Sequence, residues 1–149
     1  MIREPHQRRS PCRIAGGAPE VGSRHGSRQS RTKEYTLIRD VARKTETATA
    51  ENPAGILRTT MAYNEQLMLC HFILRKGARV PFHDHEAVQN GYLIRGKLRM
   101  LWETGREFIA EPGSGWCFDA NVRHGAEALE ECEAIECFSP ARPEYFPVG

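Results

Sequence analysis

The stretch GARVPFHDHEAVQNGYLIRGKLRM, residues 77–100, holds two histidines one residue apart, a glutamine four further on, and a glycine near each end. In an extended chain, side chains at i and i+2 share a face. His83 and His85 then point the same way and Gln89 has the same parity, while Asp84 and Glu86 face the other side. Two imidazoles side by side inside a β-structure are hard to satisfy with hydrogen bonds, and charging both is worse. A divalent cation removes the conflict, because neutral imidazole is a good metal ligand. A bare His-x-His pair reads more readily as two surface histidines. The glycine frame and a further histidine in FDANVRHGA, residues 118–126, turn the reading toward a metal site. His124 follows a turn and opens a new extended run, so it can complete the site from a neighbouring strand.

Outward from this stretch the chain reads as short strands. EYTLI (34–38), GILRTTMAY (55–63) and QLMLCHFIL (66–74) precede it, the last nearly continuous in apolar residues, as expected of a strand covered on both faces. VPFHDH, QNGYLI, KLRMLW, REFIA, GWCF, RHGAEAL and CEAIECF follow in order, separated by short turns such as RG, ETG, EPGSG, DAN and EE. Close spacing, Gly-containing turns and the lack of a long amphipathic run predict an all-β barrel or sandwich over residues 34–149.

The 149 residues suffice for one domain with a sizeable core. Residues 1–34 carry eight Lys and Arg against three Glu, and the remainder carries thirteen against sixteen acidic residues, so the basic character belongs to the N-terminus. Residues 1–33 are rich in Arg, Ser, Gly and Pro and show no period of two or 3.6, which predicts a disordered basic tail. Without interleaved aromatics or a dense basic run, a solvated tail or a misplaced start is favoured over a nucleic-acid or membrane arm. No apolar run reaches the ~18 residues that span a bilayer, and no apolar segment follows the basic start as in a secretory signal. The five cysteines (Cys12, Cys70, Cys117, Cys132, Cys137) form no Cys-x-x-Cys pair and read as reduced, mostly buried residues of a cytoplasmic protein.

The run Gly77-x5-His83-x-His85-x3-Gln89-x6-Gly96 resembles the first signature of the cupin superfamily, with glutamine where most members have glutamate. Gly113-x5-Asp119-x-Asn121-x2-His124 resembles the second; Asp119 replaces its proline, Asn121 its second glycine and Ala128 its final asparagine. The resemblance covers about residues 55–140. It implies a single jelly-roll β-barrel with one divalent metal ion near its centre (Zn, Ni, Mn or Fe) and a homodimer. By position, the metal ligands would be His83, His85, Gln89 and His124. A neutral amide in place of a carboxylate leaves the dication's charge undiminished, which favours Lewis-acid work over oxidation of the metal. Gly91, on Gln89's parity, predicts an open wall with room for a ligand. Tyr92, of opposite parity, reads as core, and His71 as a hydrogen-bonded core or wall residue.

Gln89-Asn90-Gly91-Tyr92-x3-Gly96 together with Glu136-Cys137-Phe138-Ser139-Pro140-Ala141-Arg142 is similar to the KdgF-like cupins of pectin degradation, with Glu136 where that family has aspartate. The likeness implies conversion of 4,5-unsaturated monouronates, the products of pectate and alginate lyases, to linear ketonised sugars. Glu136 would move a proton, Arg142 would hold the substrate carboxylate, and Phe138 would pack on the sugar face. An inward carboxylate on a barrel strand needs a reason, which makes Glu136 the discriminating residue. Two other readings stand beside this one: a cupin dioxygenase using Fe(II) and O₂, and a non-catalytic module binding a small sugar or acid. The expected partner is a small, anionic sugar-like substrate, with neither nucleic acid nor membrane.

Overall fold

A computed structural model describes residues 39–147. Its strands are β1 (Thr49–Glu51), β2 (Ile56–Tyr63), β3 (Met68–Leu74), β4 (Arg79–His83), β5 (Val88–Arg95), β6 (Leu98–Trp102), β7 (Glu107–Ala110), β8 (Gly115–Phe118), β9 (His124–Ala128) and β10 (Cys132–Ser139). They form a six-stranded sheet in the order β1-β2-β3-β10-β5-β8 and a four-stranded sheet in the order β4-β9-β6-β7. The pairs are antiparallel. From β3 onward the chain crosses between the sheets repeatedly, which is the jelly-roll path expected from the sequence. Every run expected from residue 55 onward becomes a strand. β1 went unread, since three exposed residues carry no periodicity. The strand expected at 34–38 and the tail expected at 1–33 lie outside the described residues.

The core fills the space between the two sheets. Met68, Cys70, Phe72 and Leu74 alternate inward along β3, and Leu98 and Met100 face them from the smaller sheet. Phe118 and Phe138 are each 1% exposed. Burying a side chain of this size contributes roughly 2–3 kcal/mol. The outer face of β3 is only partly covered. His71 is buried there, with Nε2 donating to Glu133 Oε1 at 2.7 Å beneath Lys44, while Leu69 and Ile73 are half-buried.

Two expectations need correcting. Tyr92 is not core: it lies on the outer face of the six-stranded sheet and is 47% exposed, because the inward parity of β5 belongs to Gln89, Gly91 and Leu93. The cysteines are not mostly buried. Cys70 and Cys132 are, whereas Cys117 is exposed and Cys137 intermediate, since outward parity carries the last two away from the core. All four described cysteines are free thiols.

Candidate metal centre

The four-stranded sheet brings the histidines together. His83 ends β4 and stands directly opposite His124, the first residue of β9. An irregularity in the pairing between Val80 and His83 produces this alignment, as a bulge re-aims a side chain. His85 lies beyond the end of β4, in the link to β5, so it is not a strand residue as the parity argument assumed. One nitrogen from each of His83, His85 and His124 lies within 4.8 Å of the others.

The backbone fixes the tautomer of all three rings. Nδ1–H donates to the Pro81 carbonyl from His83 (2.9 Å), to the Ala87 carbonyl from His85 (2.7 Å) and to the Val122 carbonyl from His124 (2.7 Å). In the neutral rings this leaves every Nε2 with a lone pair to offer a metal. Burial holds the His124 pKa down to about 4, and burial with the nearby Arg142 charge lowers that of His85. His124 Nε2 is buried with no hydrogen-bond partner. Phe118 stacks on the His124 ring, centroids 3.9 Å apart at 13°, and keeps it in place.

Gln89 closes the set from the opposite sheet. Its Nε2 donates to Glu136 Oε1 at 2.7 Å, which turns its Oε1 toward His85 Nε2 at 3.0 Å. Two lone pairs thus face each other. Protonating His85 would resolve the clash, but its lowered pKa opposes this. Reversing the amide would set Gln89 Oε1 against Glu136, another acceptor pair unless the carboxyl holds a proton. A cation shared by both atoms satisfies them together. The orphaned His124 Nε2 and this contact show that the residues present fit a divalent ion bound by His83, His85, Gln89 and His124.

The adjoining wall is built in rows across β10, β5 and β8. Glu136 pairs with Gly91 and Gly91 with Trp116; one step along, Phe138 pairs with Gln89 and Gln89 with Phe118. The space over Gly91 is not open to a ligand, as parity alone suggested. A Cβ there would fall 2.1 Å from Trp116 Cε2, so the indole lies against the glycine. From that seat Trp116 Nε1 donates to Glu136 Oε1 at 3.3 Å. Trp116 is a site residue that the sequence reading missed; only strand register, invisible in sequence, places it over Gly91. Glu136 faces the cavity, and burial pushes its pKa up to about 7.

Phe138 and Arg142 join the same cavity, with Gln89, Glu136, His83 and His124. The Phe138 ring meets His85 edge-on at 6.0 Å. Arg142 lies 4.2 Å over the Tyr145 ring, donates from Nε to Glu144 Oε1 at 2.8 Å and forms an ion pair with the same oxygen through Nη2 at 2.7 Å, so Glu144 already holds it on one side. Tyr145, on the 3-10 turn Pro143–Tyr145, is a second lining residue the sequence did not signal. The turn before His124 explains one departure from the second signature. Asn121 takes φ 61°, the left-handed conformation that glycine supplies there and that Asn tolerates best among other residues.

The profile of the cupin domain matches residues 70–138, from β3 through the histidine cluster to Phe138. That segment carries a cupin domain. Among solved structures, the cupin is similar to KdgF from Halomonas sp. at 29% identity, covering 71% of this chain and 99% of that one with a TM-score of 0.66. It is also similar to an RmlC-like cupin from Shewanella frigidimarina NCIMB 400 (24% identity, 72% and 96% covered, TM-score 0.68). The polyketide cyclase RemF from Streptomyces resistomycificus shares the fold at 16% identity, covering 68% of this chain and 80% of that one with a TM-score of 0.60. No curated protein sequence matches the chain. Among the described residues, no helix is long and apolar enough to cross a membrane.

Proposed function

We propose that this cupin is a metal-dependent, KdgF-like isomerase that converts 4,5-unsaturated monouronates to linear ketonised sugars in the cytoplasm. The placement of Glu136 carries the reading. Its Oε1 is held by Gln89 and Trp116, while Oε2 accepts no hydrogen bond from the described residues and is left for a substrate proton. The paired motifs around Gln89 and Glu136 and the similarity to KdgF support it.

One divalent ion per chain, at His83, His85, Gln89 and His124, supplies Lewis-acid polarisation of a substrate oxygen. Glu136 Oε2 takes the proton of the substrate's C1 hydroxyl. The ring C1–O bond breaks as the C1 aldehyde forms, and the oxygen released at C5 becomes a ketone as C4 takes up a proton. The same carboxyl returns that proton, so the change is an isomerisation that consumes neither water nor an oxidant. Arg142 steadies the substrate carboxylate and Phe138 packs against the sugar ring. A second copy of the chain covers the outer apolar face of the six-stranded sheet.

The test follows the ultraviolet absorbance of a 4,5-unsaturated monouronate, whose enol ether conjugated with the carboxylate is destroyed by ketonisation. Metal-loaded wild type should speed its loss well above metal-free protein, Glu136→Gln should not, and oxygen should not be consumed. Equal decay with wild type and metal-free protein, for both pectin- and alginate-derived substrates, would refute the reading. Oxygen uptake with another substrate would then favour the dioxygenase, and binding without turnover the binding module.

A further inference from the structure

Arg58 lies on the inward face of β2, where it pairs with Phe72 and stands two residues from Ile56; these two neighbours line the cavity together with His83, Gln89 and His124. Its role is not legible from its position in the sequence. Its guanidinium lies 3.7 Å from the centre of the Tyr145 ring, the same ring that carries Arg142 at 4.2 Å. The two guanidinium carbons are therefore no more than about 8 Å apart. Neither nearby carboxylate pairs with Arg58: Glu144 holds Arg142, and Glu136 accepts from Gln89 and Trp116 through Oε1. Arg58, by contrast, makes no ion pair and no side-chain hydrogen bond among the described residues, and its Nε is buried with no partner. An aromatic face stabilises the charge of a guanidinium but satisfies none of its five N–H donors. A buried donor without an acceptor is costly, and a bidentate carboxylate is the acceptor a guanidinium matches best.

We propose that Arg58 is a substrate-anchoring residue and that Arg58 and Arg142, laid on one tyrosine, form a two-guanidinium receptor for the ligand's carboxylate. The proposal deepens the uronate reading and rests on it for the substrate class. It assigns the main contact to Arg58, whose donors no described residue engages, with Arg142 contributing the donors that Glu144 leaves.

The test is calorimetric titration of metal-loaded, full-length protein with D-galacturonate and with D-galactose, which differ at the carboxylate and are not turned over by ketonisation. Wild type should bind galacturonate more tightly than galactose. Arg58→Met should weaken galacturonate binding at least tenfold and leave galactose unchanged, while Arg58→Lys keeps part of the preference. Melting temperature and metal content of each variant check that the fold survives. Unchanged galacturonate affinity in Arg58→Met would overturn the proposal. So would an equal loss for both sugars, no preference in wild type, or no galacturonate binding to wild type at millimolar concentration. The two readings can fail separately: carboxylate binding that depends on Arg58, without loss of unsaturated-uronate absorbance, removes the isomerase and leaves the receptor. Turnover that is indifferent to Arg58 does the reverse.

Discussion

Gln89 Nε2 donates to Glu136 Oε1 at 2.7 Å, joining the candidate metal ligands to the inward carboxylate of β10. This contact gives a physical reason for glutamine where most cupins have glutamate. A glutamate at 89 would put two carboxylates in contact, and like charges at that distance cannot both remain ionised. Gln89→Glu should therefore lower the melting temperature and disturb metal binding, through an unsatisfied pair worth about 1–3 kcal/mol. The exchanged pair Gln89→Glu/Glu136→Gln should recover most of the stability, because the donor and the acceptor are both restored, while isomerase turnover stays absent. Thermal melts of the two variants beside wild type measure this; a double variant no more stable than Gln89→Glu would show that the contact is incidental.

Gly91 is the seat of the Trp116 indole, and a methyl group there has nowhere to go. Gly91→Ala should cost about 1–3 kcal/mol as an overpacked site. It should also shift the near-ultraviolet circular dichroism as the indole leaves Glu136. An unchanged spectrum at unchanged stability would mean the wall is looser than the geometry implies.

The jelly roll was readable because most of its strands announce themselves. QLMLCHFIL and CEAIECF are extended apolar runs between turn residues, and the His-x-His spacing points to the histidine cluster whether or not His85 belongs to a strand. What sequence could not supply is register. Trp116 meets Gly91, and Gly91 meets Glu136, only because three strands from distant parts of the chain align there. Parity puts Glu136 and Phe138 on one face without saying which; the structure turns that face to the cavity, and parity could not tell that the space above Gly91 is occupied. It also could not tell that Tyr92, on the opposite parity, faces outward over an uncovered face. Arg58 was passed over for a related reason: an arginine in a strand looks like a surface charge until pairing with Phe72 turns it inward.

Cysteine reactivity should separate by face. Burial pushes the Cys70 thiol up to about 12 and raises that of Cys132, so at pH 8 both stay protonated and lack the reactive thiolate. In a Cys12→Ser background, a maleimide should label Cys117 first and leave Cys70 and Cys132 untouched until the protein is denatured, when all four described thiols react. Mass spectrometry of the labelled peptides reads the order. Early labelling of Cys70 would mean that the barrel opens readily.

The outer face of the six-stranded sheet pairs Ile135 (36% exposed) with Tyr92 (47%), and Ile94 (44%) follows on the same side. Covering such a patch with a second copy removes apolar surface from water. Light scattering should give about twice the chain mass of 16.9 kDa for wild type, and Tyr92→Glu/Ile135→Glu should give the single mass with metal content intact. A wild type that stays at the single mass over a wide concentration range would contradict the dimer.

The central claim is that three tautomer-fixed imidazoles and an amide hold a divalent ion, and elemental analysis of protein purified without an affinity tag tests it most directly. The account predicts about one divalent ion per chain in wild type and almost none in His83→Ala/His124→Ala, because removing two of four ligands costs large factors in affinity. Stoichiometric metal retained by the double variant, or a wild type that takes up no divalent ion when one is offered, would contradict it.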